Sequence, residues 1–270
     1  MKPIILCLCL AILTACVGSG NSTPTVTDIQ AKSLNYGVRA EFDFYGTYLD
    51  KGLSVNVPNC SGQTPTFISP VHQVLTCTVT ATGDLNVEVR DATGAVIYSR
   101  MFTVPAPRAA LVTSLGNIVV ELDPTAAPLT VNNFLKYVQS GFYSNTVFHR
   151  VITGSVVQGG GYTSGLAVKP GTLAPISLES ANGLANLRGT IAMARTPDPN
   201  SATSQFYFNL ADNSSLDYKD VSEPGYAVFG KIVQGLEVMD AIGSVATGTV
   251  NGVDDIPISE VSVTTALRIQ

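Results

Sequence analysis

The chain has 270 residues, a net charge of −5 and a pI near 4.9, and 13% of its residues are charged. This charge, in a sequence without a basic run, argues against a nucleic-acid groove and against a basic patch for anionic lipids. The length exceeds one average domain and suggests two units. Few charged residues and many Ser, Thr, Val and Gly favour sheets and turns, so the predicted class is mainly β.

The first fifteen residues have the layout of a secretory signal: Lys2, an apolar run over 4–13, then small residues. They end in Leu-Thr-Ala followed by Cys16, which resembles the lipobox of bacterial lipoproteins. The resemblance implies a signal peptide over 1–15 and a lipidated Cys16 as the mature N-terminus. A soluble secreted protein cleaved near Ala15 is the alternative.

Two or three acyl chains on Cys16 are enough for stable membrane attachment. The next residue, Val17, is not Asp, which by the same resemblance favours the outer membrane, facing the periplasm. Residues 16–24 are rich in Gly, Ser, Asn and Thr and form a predicted flexible tether behind the lipidated cysteine. The predicted location is therefore the bacterial cell envelope, with a lipid anchor.

The five cysteines also favour an oxidising compartment. Cys7 and Cys9 leave with the signal and Cys16 takes lipid, so Cys60 and Cys77 remain as an even pair and are predicted to form a disulfide. A zinc site is disfavoured, because His72 is the only nearby histidine and no fourth ligand stands at a regular spacing.

From 25 to 104 the chain shows short apolar or alternating runs separated by turn residues. The runs lie at 42–45, 53–57, 75–79, 85–89 and 95–102. Because no run has a sustained helical period, this pattern predicts a small β-sandwich of the immunoglobulin-like type, cross-linked by the disulfide. The segment 105–107, Pro-Ala-Pro, is a stiff linker that ends this unit.

The second predicted unit spans 108–270. Runs at 109–113 and 117–122 predict a hairpin. A helix follows, with Thr130 as its cap, Gly141 at its end and four apolar residues on one face: Val131, Phe134, Leu135 and Val138. Val238, Met239 and Ile242 indicate a second short helix, and 256–269 reads as closing strands.

The most informative segment runs from 141 to 161 and contains Phe148-His149-Arg150-Val151-Ile152, followed after a short turn by Gln158-Gly159-Gly160-Gly161. Taken singly, an Arg in a strand commonly pairs with a carboxylate, and a lone His is commonly structural. The three glycines complete neither dinucleotide-binding nor P-loop spacing, so a phosphate cradle is disfavoured.

As a set, these residues closely resemble the cyclophilin signature. The match continues in order through runs at 189–194, 204–209, 216–217 and 226–231 and covers the chain from about 109 to its end. The resemblance implies a peptidyl-prolyl cis-trans isomerase (EC 5.2.1.8) built as a closed eight-stranded antiparallel barrel capped by two helices. It also implies proline-containing polypeptide clients and no cofactor or metal.

In the cyclophilin family a fixed arginine donates to the prolyl nitrogen as the amide twists. Arg150 matches that catalytic residue, and Gln158 matches the residue that braces it. His149, its neighbour on the strand, should point to the opposite face and be structural. A hydrolase is disfavoured, because the predicted barrel has one His, no Cys and no nucleophile-elbow motif.

The resemblance also implies a set of substrate-binding residues, with several departures from the family. Tyr207 occupies the position where the family usually has Phe under the proline ring. Arg195 replaces the usual Asn, and Tyr226 replaces the His found in many eukaryotic members. Ser155 and Val156 replace the Phe and Met that wall the pocket, and Ser215 replaces an aromatic residue. The remaining positions implied to bind substrate are Ala194, Gln205 and Leu216.

Three functions therefore stay open. The first is an isomerase for envelope proteins, expected to be a monomer. The second is a catalytically weak peptide-binding chaperone or scaffold, motivated by Ser155, Val156 and Ser215. The third places the function in the N-terminal sandwich, as an adhesion or localisation module with the barrel as passenger.

Overall fold

The computed structural model describes residues 23–270. The predicted signal peptide over 1–15, the lipidation site Cys16 and most of the predicted tether lie outside these residues. Within them, no helix combines the length and the apolar character needed to cross a membrane.

The N-terminal part forms two antiparallel sheets, with strand orders β1-β2-β5-β4 and β3-β6-β7. The strands are β1 Thr25–Lys32, β2 Arg39–Thr47, β3 Ser54–Asn56, β4 Cys60–Ser69, β5 His72–Val79, β6 Gly83–Arg90 and β7 Val96–Val104. Alternate residues of both sheets face a shared core that includes Phe42, Phe44, Leu75 and Val87. The five predicted runs fall on β2, β3, β5, β6 and β7.

Two strands of this part were not predicted, each for a local reason. In β1 the register shifts between Val26 and Asp28, so the buried residues Val26 and Ile29 are three positions apart and the two-residue period is lost. The edge strand β4 is exposed along nearly its whole length and contains Pro65, so it carries no hydrophobic alternation.

The predicted disulfide between Cys60 and Cys77 is confirmed. It joins β4 to its neighbour β5 within one sheet and so fixes the otherwise exposed edge strand. Cys77 is fully buried in the core, whereas Cys60 packs at its margin.

Replacing both cysteines with serine should lower the unfolding free energy of the N-terminal part by about 3 kcal/mol, because the closed loop no longer restricts the unfolded chain. Denaturant titration followed by hydrogen exchange of β4 and β5 measures this effect. A matched Ser61→Ala, Thr78→Ala variant controls for two changes in the same strands. Equal stability of the double-serine variant and the wild type would contradict the prediction.

The C-terminal part is a closed antiparallel barrel of eight strands, which confirms the predicted class. Its ring order is β10-β18-β8-β9-β15-β13-β14-β11, and β11 pairs back to β10. The ring strands are β8 Arg108–Thr113, β9 Gly116–Leu122, β10 Thr146–Ile152, β11 Val156–Thr163, β13 Thr190–Met193, β14 Phe206–Asn209, β15 Val228–Gln234 and β18 Ser262–Arg268. Short β12, Ala167–Val168, pairs antiparallel with the end of β11, and β16, Thr247–Val250, pairs with β17, Val253–Pro257.

Two helices accompany the barrel. Helix α1, Pro128–Gln139, buries the four predicted apolar residues, and α2, Leu236–Gly243, buries Met239 and Ile242. The predicted cap by Thr130 is wrong, because the helix begins at Pro128 and places Thr130 inside its first turn. The carboxylate of Glu179 instead accepts from the backbone N–H groups of Leu129 and Thr130 and from the Thr130 hydroxyl.

Tyr36, a residue of the N-terminal part, packs against the hydrophobic core of the barrel. Tyr36, in the loop between β1 and β2, is buried with the barrel core, and its hydroxyl donates to Oδ1 of Asn132 on α1 at 3.0 Å. The guanidinium of Arg268, at the end of β18, donates to the Tyr36 carbonyl. The two parts therefore share a packed and hydrogen-bonded contact.

Candidate active site

A row of side chains crosses the outer face of the barrel. Directly paired residues on neighbouring strands share a face, and the pairing runs from Arg150 to Gln158, then to Tyr207, Ala192 and Val228. The alternate residues Phe206 and Phe208 of β14 point the other way, into the main core. The two predicted catalytic residues thus lie on the same face as the predicted pocket floor, Tyr207.

A β-bulge places Arg150 in this row. The register moves from Phe148 opposite Gly159 to Arg150 opposite Gln158, so His149 is an extra residue on β10. The expectation that His149 and Arg150 point to opposite faces assumed strict alternation, which the bulge interrupts. The two side chains nevertheless have different surroundings, because Arg150 is exposed and the ring of His149 packs against the ring of Tyr162, with centroids 4.6 Å apart and planes tilted by 53°.

His149 does not have the properties of a general base. Burial lowers the pKa of its imidazole to about 4, so the ring is neutral near pH 7 and holds a proton poorly. Its Nδ1 atom is buried without a hydrogen-bond partner among the described residues. A structural role in the bulge fits these surroundings.

An apolar cluster separate from the main core forms the floor beside Arg150. Its buried members are Val156, Ala192, Tyr207 and Val228. Partly buried residues pack against them, namely Ile152, Leu184, Ala194, Leu216 and Tyr226. Five of the residues predicted to bind substrate therefore meet in one place: Val156, Ala194, Tyr207, Leu216 and Tyr226.

A buried asparagine, Asn186, holds the floor from below. The Tyr207 hydroxyl donates to Oδ1 of Asn186 at 2.7 Å, and the Asn186 amide donates to the Leu216 carbonyl at 3.0 Å and to Oδ1 of Asp217 at 2.9 Å. Asn209 also donates to Oδ1 of Asn186, at 3.2 Å. Burial raises the pKa of the Tyr207 hydroxyl, so it stays protonated and able to donate.

Sequence reasoning missed Asn186. Asn is commonplace in loops, and nothing in the sequence distinguishes this one from the less buried Asn182 nearby. The sequence signal that could have indicated a buried polar partner was Tyr207. Its hydroxyl, once buried, needs a hydrogen-bond partner, whereas the usual phenylalanine would not.

The side of the pocket is built from Arg195 and Tyr226. The guanidinium of Arg195 lies over the Tyr226 ring, 4.6 Å from its centroid, and donates to the carbonyls of Gly225 and Thr196. The Tyr226 ring meets the Tyr207 ring edge to face at 5.8 Å. Arg195 thus holds the Tyr226 ring in place through its cation–π contact and its hydrogen bonds to the backbone. The neighbouring backbone N–H of Ala194 donates to the Gln205 carbonyl at 2.9 Å.

The rim positions Ser155 and Ser215 carry small polar side chains. Ser155 sits in a turn whose backbone is tied down by Asn213, which donates to the Ser155 carbonyl at 3.0 Å. Ser215 is exposed. The three substitutions noted in the sequence therefore differ in effect, because Val156 still contributes to the floor while Ser155 and Ser215 leave the rim without aromatic cover.

The polar end of the row contains Arg150, Gln158 and Gln205. The side-chain amide of Gln158 donates to Oε1 of Gln205 at 2.9 Å. Gln158 lies directly across from Arg150 on the neighbouring strand. The Arg150 guanidinium forms an ion pair with Asp255.

The three glycines after Gln158 allow close packing. Gly160 has a φ of 85°, and a Cβ there would lie 2.8 Å from the Ser204 carbonyl oxygen. A Cβ on Gly161 would lie 2.6 Å from the Gln205 side chain. Residues 23–270 contain no cluster of three or more His, Cys, Asp or Glu side chains arranged to hold a metal ion.

Comparisons with known proteins place this barrel in a family. Residues 108–266 match the sequence model described as cyclophilin type peptidyl-prolyl cis-trans isomerase/CLD. The chain is 51% identical over 160 residues to peptidyl-prolyl cis-trans isomerase A of Dickeya dadantii, covering 59% of this chain and 83% of the relative. It is 48% identical over 151 residues to peptidyl-prolyl cis-trans isomerase B of Escherichia coli, covering 55% of this chain and 92% of the relative.

Solved structures show the same fold. A cyclophilin type peptidyl-prolyl cis-trans isomerase from Cryptosporidium parvum superposes with a TM-score of 0.50 and 24% identity, covering 61% of this chain and 98% of that chain. A second structure of that protein, determined in the presence of the dipeptide Ala-Pro, also has a TM-score of 0.50 and covers 60% of this chain and 99% of that chain.

Proposed function

This chain belongs to the cyclophilin-type peptidyl-prolyl cis-trans isomerase family through residues 108–266, and we propose that it accelerates X-Pro rotation during the folding of cell-envelope proteins, with Arg150 stabilising the twisted amide. The observation that carries the proposal is the row across the barrel, which sets Arg150 beside an aromatic floor. The proline ring would rest on Tyr207, with the prolyl nitrogen towards Arg150.

The reaction makes and breaks no covalent bond. Amide resonance sets a barrier of about 18 to 20 kcal/mol for an ordinary peptide bond, and rotation about X-Pro bonds takes tens to hundreds of seconds. As the amide twists, the nitrogen lone pair localises and becomes a better hydrogen-bond acceptor. A donor fixed beside the nitrogen therefore stabilises the twisted state more than the planar one.

Arginine suits this task for two reasons. Its guanidinium stays protonated at all physiological pH values, and its planar fork offers several donors in a fixed geometry. At position 150 the side chain is exposed beside the buried floor, so the charged group keeps contact with solvent while the proline ring is covered. Gln158, across the strand, would brace the site through its bond to Gln205.

The polar rim at Ser155 and Ser215 favours a second candidate, a peptide-binding chaperone or scaffold with weak catalysis. The two functions differ in one measurement. A binder without catalysis holds an unfolded client and leaves its X-Pro isomerisation rate unchanged, whereas an isomerase shortens the slow refolding phase.

The test is the refolding of a client whose slow phase is limited by X-Pro isomerisation, with catalytic amounts of the full chain. The expected result is a slow phase whose rate rises in proportion to the enzyme concentration. A slow phase unchanged by a folded, client-binding chain would favour the scaffold. Addition of the Arg150→Ala variant at equal concentration controls for non-catalytic binding.

Restoring an aromatic residue at the rim tests the pocket itself. Ser155→Phe should raise kcat/KM for a short X-Pro peptide by about tenfold, because a buried aromatic side chain contributes about 1.5 to 3 kcal/mol of transfer free energy, part of it lost to residual exposure. A chromogenic peptide assay measures the change, with Ser155→Ala as the control for loss of the hydroxyl. No gain for Ser155→Phe means that other side chains already fill the pocket.

The location proposed for the chain is the outer membrane, with an acylated Cys16 as its anchor and the barrel in the periplasm. The sequence around Cys16 supports this, and so does the Cys60–Cys77 disulfide, which persists in oxidising compartments. Mass measurement of the mature N-terminus tests it. Diacylglycerol on Cys16 is the expected result, and an unmodified soluble chain would refute it.

The N-terminal part is proposed to be an immunoglobulin-like sandwich. Support comes from its two sheets of four and three strands, whose orders β1-β2-β5-β4 and β3-β6-β7 correspond to ABED and CFG in immunoglobulin constant domains. One feature differs, because the Cys60–Cys77 bond lies within one sheet, whereas the antibody disulfide joins the two sheets.

A further inference from the structure

Within the described part of the chain, the guanidinium of Arg150 pairs with one carboxylate. Among residues 23–270, its only ion pair joins Nε to Oδ2 of Asp255, 3.6 Å apart. This separation is that of an ion pair rather than a hydrogen bond. The contact is recorded at Nε, and neither terminal NH₂ group of the fork donates a hydrogen bond within residues 23–270. Those are the groups that would meet a substrate amide.

The backbone holds Asp255 in place. Its φ is 66°, in the left-handed region that few residues other than Gly, Asn and Asp enter. It lies on β17, whose ends are fixed by pairing with β16, and the next two residues, Ile256 and Pro257, are buried. Such conformations are kept where the surrounding structure determines them, and they concentrate at functional sites.

The nearby carboxylate on the same hairpin has another partner. Asp254 accepts a hydrogen bond from the Thr249 hydroxyl at 2.5 Å, which closes the hairpin on itself. The side chain of Gln158, the other polar group beside Arg150, is uncharged, and its Nε2 donates to Gln205. Asp255 is therefore the group whose charge and position act on the Arg150 side chain.

We propose that Asp255 is a positioning residue for Arg150, an inference that rests on the proposed isomerase function. Its carboxylate holds the guanidinium by the Nε edge and keeps the fork facing the prolyl nitrogen. In the free chain both side chains are partly exposed, 45% for Arg150 and 36% for Asp255, so solvent weakens their attraction. A bound peptide excludes water and strengthens it when the guanidinium must be held.

Asp255→Asn is the decisive variant, because Asn tolerates the left-handed backbone, has the same shape and lacks the charge. The expected result is a kcat about fivefold lower with a nearly unchanged KM, the size of effect of a partly exposed ion pair. Asp254→Asn removes the same charge one residue away and should retain wild-type kcat. Raised salt should lower the kcat of the wild type more than that of Asp255→Asn.

Two further measurements separate this proposal from the isomerase proposal. In an Arg150→Ala background, Asp255→Asn should cause no further loss, since nothing is left to position. NMR relaxation of the Arg150 Nε–H group reports its order directly, whether or not the chain is active, and should show greater mobility in Asp255→Asn. Unchanged Nε–H order together with wild-type kcat would overturn the role of Asp255, whereas an inactive wild type with an ordered Arg150 would overturn only the isomerase function.

Discussion

Replacing Arg150 with alanine is expected to lower kcat/KM for a short X-Pro peptide by about 100-fold or more, the effect of removing a single preorganised donor from a transition state. The loss should fall on kcat, because the donor acts on the pyramidal nitrogen rather than on the planar ground state. Peptide affinity should change little, since the floor around Tyr207 does not depend on the guanidinium. Stopped-flow assays and peptide titration measure the two quantities.

A conservative variant sharpens the result. Arg150→Lys keeps the positive charge but loses the planar fork, so its kcat should lie between those of the wild type and Arg150→Ala. The side chain is exposed, so both variants should keep the wild-type melting temperature. A kcat/KM for Arg150→Ala within threefold of the wild type would exclude Arg150 as the stabilising donor.

The second large effect is expected at Asn186. Its side chain is 1% exposed and accepts from Tyr207 and Asn209 while donating to Leu216 and Asp217. Asn186→Ala leaves the buried Tyr207 hydroxyl without a partner and removes one hydrogen bond each from Asn209, the Leu216 carbonyl and Asp217. The unfolding free energy should fall by about 3 kcal/mol, since an orphaned buried group costs roughly 1 to 3 kcal/mol and each further lost hydrogen bond about 1 kcal/mol. Peptide affinity should fall too, because Tyr207 loses its anchor.

Two companion variants test the cause. Tyr207→Phe removes the hydroxyl that needs a partner, so it should recover part of the stability lost in Asn186→Ala when the two are combined. Asn182→Ala changes a less buried asparagine of the same loop, which donates to the Val228 carbonyl, and should cost about 1 kcal/mol. Denaturant unfolding gives the values, and equal losses for Asn186→Ala and Asn182→Ala would rule out the network as the cause.

Much of the fold was predictable because it depends on repeated local signals. The apolar face of α1 recurs at helical spacing, and most strands of both parts alternate buried and exposed residues. The family motif then supplied the barrel topology and the positions of Arg150 and Tyr207. None of these inferences required knowledge of contacts between distant residues.

The features that escaped prediction depend on such contacts or on broken periods. A bulge disturbs β1, and another makes His149 an extra residue on β10, so alternation misleads at both places. Glu179 caps α1 from fifty residues away, and Asp255 reaches Arg150 from a separate hairpin far along the chain. The identity of these residues gives no hint of their partners, because Glu and Asp are ordinary surface residues.

The measurement that tests the central claim most directly is exchange NMR of a short X-Pro peptide in the presence of catalytic amounts of the full chain. It reads the cis and trans populations and their interconversion rate at the bond itself. The proposed function predicts exchange that is fast relative to the uncatalysed tens of seconds, an unchanged cis:trans ratio for the free peptide, and loss of the acceleration in Arg150→Ala. An uncatalysed rate in the presence of folded wild-type chain that binds the peptide would contradict it.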